Sequence, residues 1–246
     1  MDDVSSQIVS ISVADGTSMD AFVARPALDG KHPCVILFQE AFGINAHIRE
    51  VAERFAREGY VTIAPELFHR TAPGFVAPYD QFLSTMPHLK ALTPEGIKLD
   101  ARAAFDWLNA QPFVKQDRVA SVGFCVGGRA SFLACASLPL LAAVSFYGGG
   151  IAPALLGEIP NLHATMLFFW GGLDKHIGQE QIRPIMDGCQ AAGKAFVNVE
   201  ISNADHGFFC NARASYNADA ADLGWKLTVS FLEQNLKIRE KCSRVR

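Results

Sequence analysis

The sequence lacks the features that would assign it to several large classes of protein. Its 246 residues carry 22 Lys and Arg against 25 Asp and Glu, a net charge of −3, whereas a surface that binds nucleic acid needs an excess of basic residues. No apolar run approaches the roughly 18 residues of a membrane-spanning helix. The six cysteines form no Cys-x-x-Cys pair, the spacing typical of redox and zinc motifs. Nucleic-acid and membrane partners are therefore not expected.

The amino terminus and the cysteines both predict a cytoplasmic protein. Acidic residues stand at positions 2 and 3, where a secretory signal would have basic ones, and no apolar run follows. Unclustered cysteines in a large chain without an export signal are most simply free thiols in a reducing compartment. The histidines show no ligand spacing, so neither a metal nor another cofactor is expected.

The hydrophobic pattern predicts a three-layer α/β sandwich with a mostly parallel sheet. Alternating residues on both sides of Asp15-Gly16 predict an amino-terminal antiparallel hairpin. Short apolar runs, typical of strands buried on both faces, occur at 34–38, 60–64, 119–124, 140–146, 166–170 and 196–201. Helical patterns alternate with them at 48–58, 94–109, 128–137, 180–192 and 218–235. We expect one domain over residues 6–236, followed by a basic, solvated tail at 237–246.

One connection departs from this alternation. Residues 70–92 contain prolines and aromatic residues but no clear periodicity. A connection of more than about 15 residues without its own structure is usually a lid or a binding loop. We therefore expect this segment to lie beside the functional site.

The segment that carries chemistry is a Gly-x-Cys-x-Gly motif between a predicted strand and a predicted helix. It has the pattern of a nucleophile elbow with Cys125 in place of serine. Gly123 and Gly127 would remove the Cβ atoms that collide in so sharp a turn. The turn places Cys125 at a helix amino terminus, where the helix dipole favours a thiolate. The amide of Val126 would be a natural oxyanion donor.

Partners for this nucleophile follow in the chain order of α/β-hydrolases. Asp174 follows the second predicted strand after Cys125, and His206 follows the last predicted strand. His206 would accept the thiol proton and Asp174 would orient His206. Their neighbours His176 and Asp205 are rival candidates that the sequence only weakly excludes.

Over residues 8–236 the chain resembles the dienelactone hydrolases (carboxymethylenebutenolidases) of the α/β-hydrolase fold. The motifs that carry the resemblance are Gln39-Glu40-Ala41-Phe42-Gly43-Ile44-Asn45, Pro65-Glu66-Leu67-Phe68, Ala72-Pro73-Gly74, Gly123-Phe124-Cys125-Val126-Gly127-Gly128, and Gly207-Phe208 after His206. The resemblance implies a catalytic triad of Cys125, Asp174 and His206. It also implies an oxyanion hole built from the amides of Ala41 and Val126.

The same resemblance gives Glu40 the role of an acid that holds the resting thiol until substrate displaces it. From the residues alone, Glu40 ends a buried strand, where an unpaired carboxylate is costly. A carboxylate beside Cys125 would disfavour the thiolate and so protect it from oxidation. Alternatively, Glu40 pairs with a structural arginine such as Arg49 or Arg129.

The chain departs from the family's pattern at the positions that bind the substrate. Relatives hold the substrate carboxylate with two arginines, and the corresponding positions here are Thr85 and Cys210, which cannot make that contact. Nearby cations are Arg70, Lys90 and Arg213. The candidate substrate-binding residues are Phe42, Arg70, Phe75, Tyr79, Phe82, Tyr147, Phe208 and Arg213.

The sequence thus predicts a monomeric or homodimeric hydrolase that opens a lactone or cleaves a small carboxylic ester with a cysteine nucleophile. One alternative is a protein of this fold that binds small molecules without hydrolysing them. Another is a thiol redox sensor, in which Cys210 would approach Cys125 and form a disulfide with it.

Overall fold

The computed structural model describes residues 4–236, which contain one eight-stranded sheet with helices on both faces. The strands are β1 (Val4–Ser12), β2 (Ser18–Pro26), β3 (His32–Phe38), β4 (Val61–Pro65), β5 (Val114–Phe124), β6 (Ala142–Phe146), β7 (Thr165–Gly171) and β8 (Phe196–Ile201). The helices are α1 (Ala46–Arg57), α2 (Phe82–Ala91), α3 (Pro94–Asn109), α4 (Val126–Ser137), α5 (Gln179–Ala191) and α6 (Ala218–Leu236).

The strand order is β1-β2-β4-β3-β5-β6-β7-β8, and it determines where the helices lie. The pairs β1–β2 and β2–β4 are antiparallel, and the pairs from β4 to β8 are parallel. Across the sheet, the step from β3 to β4 leads toward the β1 edge, and every later step leads toward the β8 edge. Because parallel crossovers are right-handed, α1 must cover one face while α3, α4 and α5 cover the other. The predicted three-layer sandwich with an amino-terminal hairpin is confirmed.

Local sequence explains where the first helices begin. The side chain of Asn45 accepts the amide of Ile48 at 3.2 Å and so caps α1. Thr93 caps α3 in the same way, at 3.1 Å from the amide of Gly96, and Pro94 follows it as the first helical residue. The five predicted helices are present, with ends that differ by at most two residues.

Two expectations were wrong. Segment 70–92 is not without structure, because it contains α2. This helix has no capping side chain and contains Pro87, so its sequence shows neither a start signal nor an uninterrupted pattern. Strand β8 was expected to be buried on both faces, but Val197 is 45% exposed because β8 is an edge strand. The predicted basic tail lies outside the described residues.

The parallel strands bring four connections to one edge of the sheet. The carboxyl ends of β3, β5, β7 and β8 lead directly to residues 39–45, to α4, to residues 172–178 and to residues 202–217. Ligands of open parallel sheets bind at this edge. In residues 4–236, no helix is long and apolar enough to span a bilayer.

Candidate active site

Cys125 occupies a sharp turn between β5 and α4. Its backbone has φ 56° and ψ −119°, a conformation that side-chain-bearing residues rarely adopt and that often marks a functional site. A Cβ on Gly123 would collide with the carbonyl oxygen of Gly127, and a Cβ on Gly127 would collide with that of Phe38. The predicted role of the two glycines in the turn is confirmed.

His206 and Asp174 meet although 32 positions separate them. Nδ1 of His206 lies 2.8 Å from Oδ2 of Asp174, whose side chain is only 1% exposed. The other oxygen, Oδ1, accepts the amides of His176 at 2.7 Å and Ile177 at 3.2 Å. Within residues 4–236, the side chain of the rival acid Asp205 accepts only the backbone amide of His206. Asp174 is therefore the acid whose side chain contacts the imidazole.

The environment of His206 stabilises its protonated form. Burial alone would lower the pKa of His206, but hydrogen bonds and charges from Asp174 and Cys125 outweigh it and raise that pKa to about 10. Burial likewise opposes ionisation of Asp174, yet the contact with His206 and two backbone amides leaves its pKa below the ordinary value. Asp174 thus hydrogen-bonds to the imidazole, and the thiol of Cys125 acts on the pKa of that imidazole from the same cleft.

Glu40 is fully buried, and its described partner is neither of the arginines proposed from the sequence. Its Oε1 lies 3.0 Å from Nη1 of Arg213, while its Oε2 has no hydrogen bond within residues 4–236. Burial raises the pKa of Glu40, and the charge of Arg213 opposes that rise. Arg49 instead donates to the carbonyl of Ile44. The predicted gating of the thiol by Glu40 stays a prediction.

Arg213 lies between Phe42 and the backbone of Gly207. Its guanidinium carbon is 5.7 Å from the ring centre of Phe42, and a Cβ on Gly207 would collide with the guanidinium. Gly207, with φ +78°, also has a conformation that favours glycine. A guanidinium has five N–H donors, and the contact with Glu40 is the one hydrogen bond that the guanidinium of Arg213 makes within residues 4–236.

The amides of Ala41 and Val126 are both available as donors. Val126 is the first residue of α4, so its N–H has no partner within the helix. Ala41 lines the same cleft as Cys125. Within the described chain, neither amide donates to a backbone or side-chain acceptor.

Cys125, His206 and Arg213 line a cleft of about 440 Å³, within the size range of small-molecule sites. It is lined by Ala41, Phe42, Tyr79, Phe82, Cys125, Gly149, Gly150, His176, Ile177, Gln181, His206 and Arg213. Four predicted substrate-binding residues are in this set: Phe42, Tyr79, Phe82 and Arg213. No group of three His, Cys, Asp or Glu side chains in residues 4–236 is arranged to hold a metal ion.

The other predicted substrate-binding residues lie outside the cleft lining. Arg70 forms ion pairs with Asp15 and Asp100, at 2.7 Å each, which hold it away from the site. Phe75 packs on His88 of α2, with 4.4 Å between ring centres. Tyr147 and Phe208 are fully buried beneath the site, and the ring of Tyr147 lies 5.0 Å from that of His206.

The two positions that correspond to the family's arginines are buried. The Thr85 hydroxyl donates to the carbonyl of Phe82 at 2.7 Å. The Cys210 thiol donates to the hydroxyl of Tyr79 at 3.1 Å, and burial raises the pKa of that thiol. Neither lines the cleft, whereas Arg213, three positions beyond Cys210, does.

Sequence reasoning did not find the part of the cleft formed by Gly149, Gly150, Ile177 and Gln181. The two glycines and Ile177 lie in the connections that follow β6 and β7. Their position at the carboxyl edge of the sheet was a usable signal. Gln181 lies within α5, and nothing in its local sequence distinguishes it from a surface residue.

Comparison with known proteins adds an independent line of evidence. Residues 19–236 match the dienelactone hydrolase family. The chain is 40% identical over 230 residues to a Synechocystis protein named "Putative carboxymethylenebutenolidase", covering 88% of this chain and 92% of that protein. It is 30% identical over 227 residues to the carboxymethylenebutenolidase of Pseudomonas putida, covering 91% and 94% of the two chains.

A solved structure gives the same relationship. The crystal structure of a protein from Klebsiella pneumoniae, described as a "Putative Dienelactone Hydrolase", superposes with a TM-score of 0.84. The two chains are 30% identical, and the match covers 94% of this chain and 99% of the other. The similarity therefore extends over nearly the whole domain rather than over isolated motifs.

Proposed function

Because the chain belongs to the dienelactone hydrolase family and is therefore a hydrolase of ester or lactone bonds, we propose that Cys125 is its nucleophile, with His206 carrying the proton and Asp174 orienting His206. The substrate is a lactone or a small carboxylic ester. The observation that carries this proposal is that Asp174 holds the imidazole of His206 at 2.8 Å while His206 and Cys125 line one cleft. The volume of that cleft, about 440 Å³, suits a small molecule.

In the first half of the reaction, the sulfur of Cys125 attacks the carbonyl carbon and its proton is held by the imidazole of His206. The carbonyl oxygen becomes an oxyanion, which accepts hydrogen bonds from the amides of Ala41 and Val126. The oxyanion then collapses, the C–O bond breaks, and the leaving oxygen takes the proton from His206. A thioester on Cys125 results, and in a lactone the leaving oxygen stays attached to the acyl chain.

In the second half, neutral His206 removes a proton from a water molecule that attacks the thioester. Collapse of this second oxyanion breaks the C–S bond, the sulfur of Cys125 takes the proton back from His206, and the carboxylic acid product is released. Asp174 keeps Nδ1 of His206 protonated, so that the other ring nitrogen faces the reacting atoms. No cofactor enters this cycle.

This mechanism predicts a covalent intermediate on one cysteine. Mixing the enzyme with an excess of a slowly hydrolysed aryl ester and quenching in acid should give a mass increase equal to one acyl group. Peptide mapping should assign the thioester to Cys125, because the other described cysteines are buried. Cys189→Ala protein is the matched control and should acylate like the wild type. Acylation of another residue, or hydrolysis with no adduct under rapid quench, would contradict the proposal.

Arg213 gives the cleft a means of recognising an anionic group on the substrate. It is the arginine of the cleft lining, and most of its donors are not used by other residues of the described chain. Charge-assisted contacts to a carboxylate are among the stronger hydrogen bonds in proteins. We therefore propose that Arg213 takes over the recognition that Thr85 and Cys210 cannot provide.

Replacing Arg213 by methionine should change substrate preference more than overall rate. Loss of one charge-assisted contact is expected to lower the ratio of kcat/KM for a carboxylate-bearing lactone to that for a neutral lactone by about 10- to 100-fold. Arg102→Met, at an exposed site on α3, serves as the control. An equal loss on both substrates would mean that Arg213 serves only to neutralise Glu40.

The five cysteines of the described chain are free thiols. Unpaired cysteines are usual where thiols are kept reduced, which supports a cytoplasmic location for this hydrolase.

A further inference from the structure

His176 is a second imidazole in the cleft, and the proposed reaction gives it no role. It lines the cleft together with Cys125 and His206. Its ring centre lies 5.7 Å from that of His206, and the two ring planes are nearly perpendicular, at 84°. From the sequence alone, His176 is only a rival candidate to His206.

The backbone of His176 is fixed by other residues of the site. Its N–H donates to Oδ1 of Asp174 at 2.7 Å, and its carbonyl accepts from Nε2 of Gln181 at 2.9 Å. The carboxylate that orients the ring of His206 therefore also holds the backbone of His176. The imidazole of His176 itself makes no hydrogen bond or ion pair within residues 4–236. It is free to bind a ligand.

We infer that the imidazole of His176 donates a hydrogen bond to the leaving oxygen of the substrate, a role that rests on the function proposed above. His206 must deliver its proton to that same oxygen. Because the ring centres are only 5.7 Å apart, one oxygen atom can lie about 3 Å from a nitrogen of each ring. His176 transfers no proton and forms no covalent bond in this role.

The physical benefit of this contact depends on the leaving group. Negative charge develops on the leaving oxygen as the C–O bond breaks, and a donor aimed at that charge stabilises the transition state more than the ground state. A nitrophenolate is stable without such help, whereas an alkoxide is not. His176 therefore matters most for alkyl esters and for lactones, whose leaving oxygens become alkoxides or enolates.

The test is a series of esters with one acyl group and different alcohols: p-nitrophenyl, phenyl, trifluoroethyl and ethyl acetate. His176→Ala keeps the backbone N–H that binds Asp174, so the orientation of His206 is preserved. We expect kcat/KM to fall about 10- to 100-fold for ethyl acetate and less than about 3-fold for p-nitrophenyl acetate. His176→Gln retains an N–H donor and should recover most of the loss. His163→Ala, at an exposed site remote from the cleft lining, is the control.

Two results would overturn the role of His176. An equal fall for all four esters would show that the residue acts on the shape of the site, and no fall for any ester would show that the ring does not touch the leaving oxygen. Thioester trapping on Cys125 is measured in parallel. Without a thioester the proposed function fails; with a thioester but a uniform leaving-group response, only the role of His176 fails.

Discussion

Replacing Cys125 by alanine should lower kcat/KM on a dienelactone and on simple esters by about 10⁴-fold or more. Loss of the nucleophile from a catalytic triad typically costs rates of that order or above. No other thiol of residues 4–236 is placed to substitute, because the remaining cysteines of that range are buried, including Cys210, which hydrogen-bonds to the cleft residue Tyr79. The substitution also removes one atom from a site with a strained backbone, so it should not destabilise the fold.

Ring opening of a dienelactone followed by absorbance, with the wild type and Cys125→Ala measured together, is the direct experiment. Cys189→Ala, in the buried face of α5, controls for the loss of a thiol elsewhere. Rapid opening by the wild type that disappears in the variant supports both the nucleophile and the family substrate. Hydrolysis by Cys125→Ala at the wild-type rate would refute the nucleophile. No opening by folded wild type would direct the search to neutral lactones and short esters.

Replacing Asp174 by asparagine should lower kcat by about 10³- to 10⁴-fold while leaving the fold intact. An amide can donate to Nδ1 of His206 and so stabilise the wrong tautomer, with the proton on the nitrogen that faces Cys125. It also removes a negative charge 2.8 Å from the imidazole. Asp187→Asn, on the exposed side of α5, is the control. If Asp205→Asn lost more activity than Asp174→Asn, the assignment of the acid would be wrong.

The same substitution should be visible in the titration of His206. The pKa of His206 is raised from 6.5 to about 10 in the folded protein. Folding is therefore favoured by this group at pH values below about 6.5, and that contribution is lost as the pH rises toward 10. In Asp174→Asn, the imidazole resonances should titrate at lower pH, and the alkaline loss of stability should be smaller. An unchanged titration would mean that Asp174 does not stabilise the imidazolium.

Local sequence was sufficient for the parts of the site whose geometry is local. The turn at Cys125 depends on Gly123 and Gly127, whose missing Cβ atoms can be read directly from the motif. The strands and most helices follow from short-range periodicity and from caps such as Asn45 and Thr93. Helix α2 escaped detection because it lacks these signals; Thr85 is buried, and the rings of Phe82 and His88 pack on neighbouring segments.

Pairings between distant segments were decided by the tertiary structure. The sequence shows that Glu40 needs a partner, but not that Arg213, 173 positions away, provides it. The ring of Phe42 and the backbone of Gly207 hold that guanidinium in the cleft. Neither contact can be predicted from local periodicity. From the sequence, Arg70 is an equally reasonable candidate, but in the structure its ion pairs with Asp15 and Asp100 hold it outside the cleft lining.

The sequence by itself therefore determined the fold class, the sharp turn at Cys125 and the chain order of Cys125, Asp174 and His206, because each depends on spacing along the chain. Only the tertiary structure decided which acid faces His206, which arginine enters the cleft and that His176 stands beside His206. Those choices depend on how loops from separate strands meet at one edge of the sheet. A change of one residue in the length of a loop would move these side chains relative to one another without altering any sequence motif.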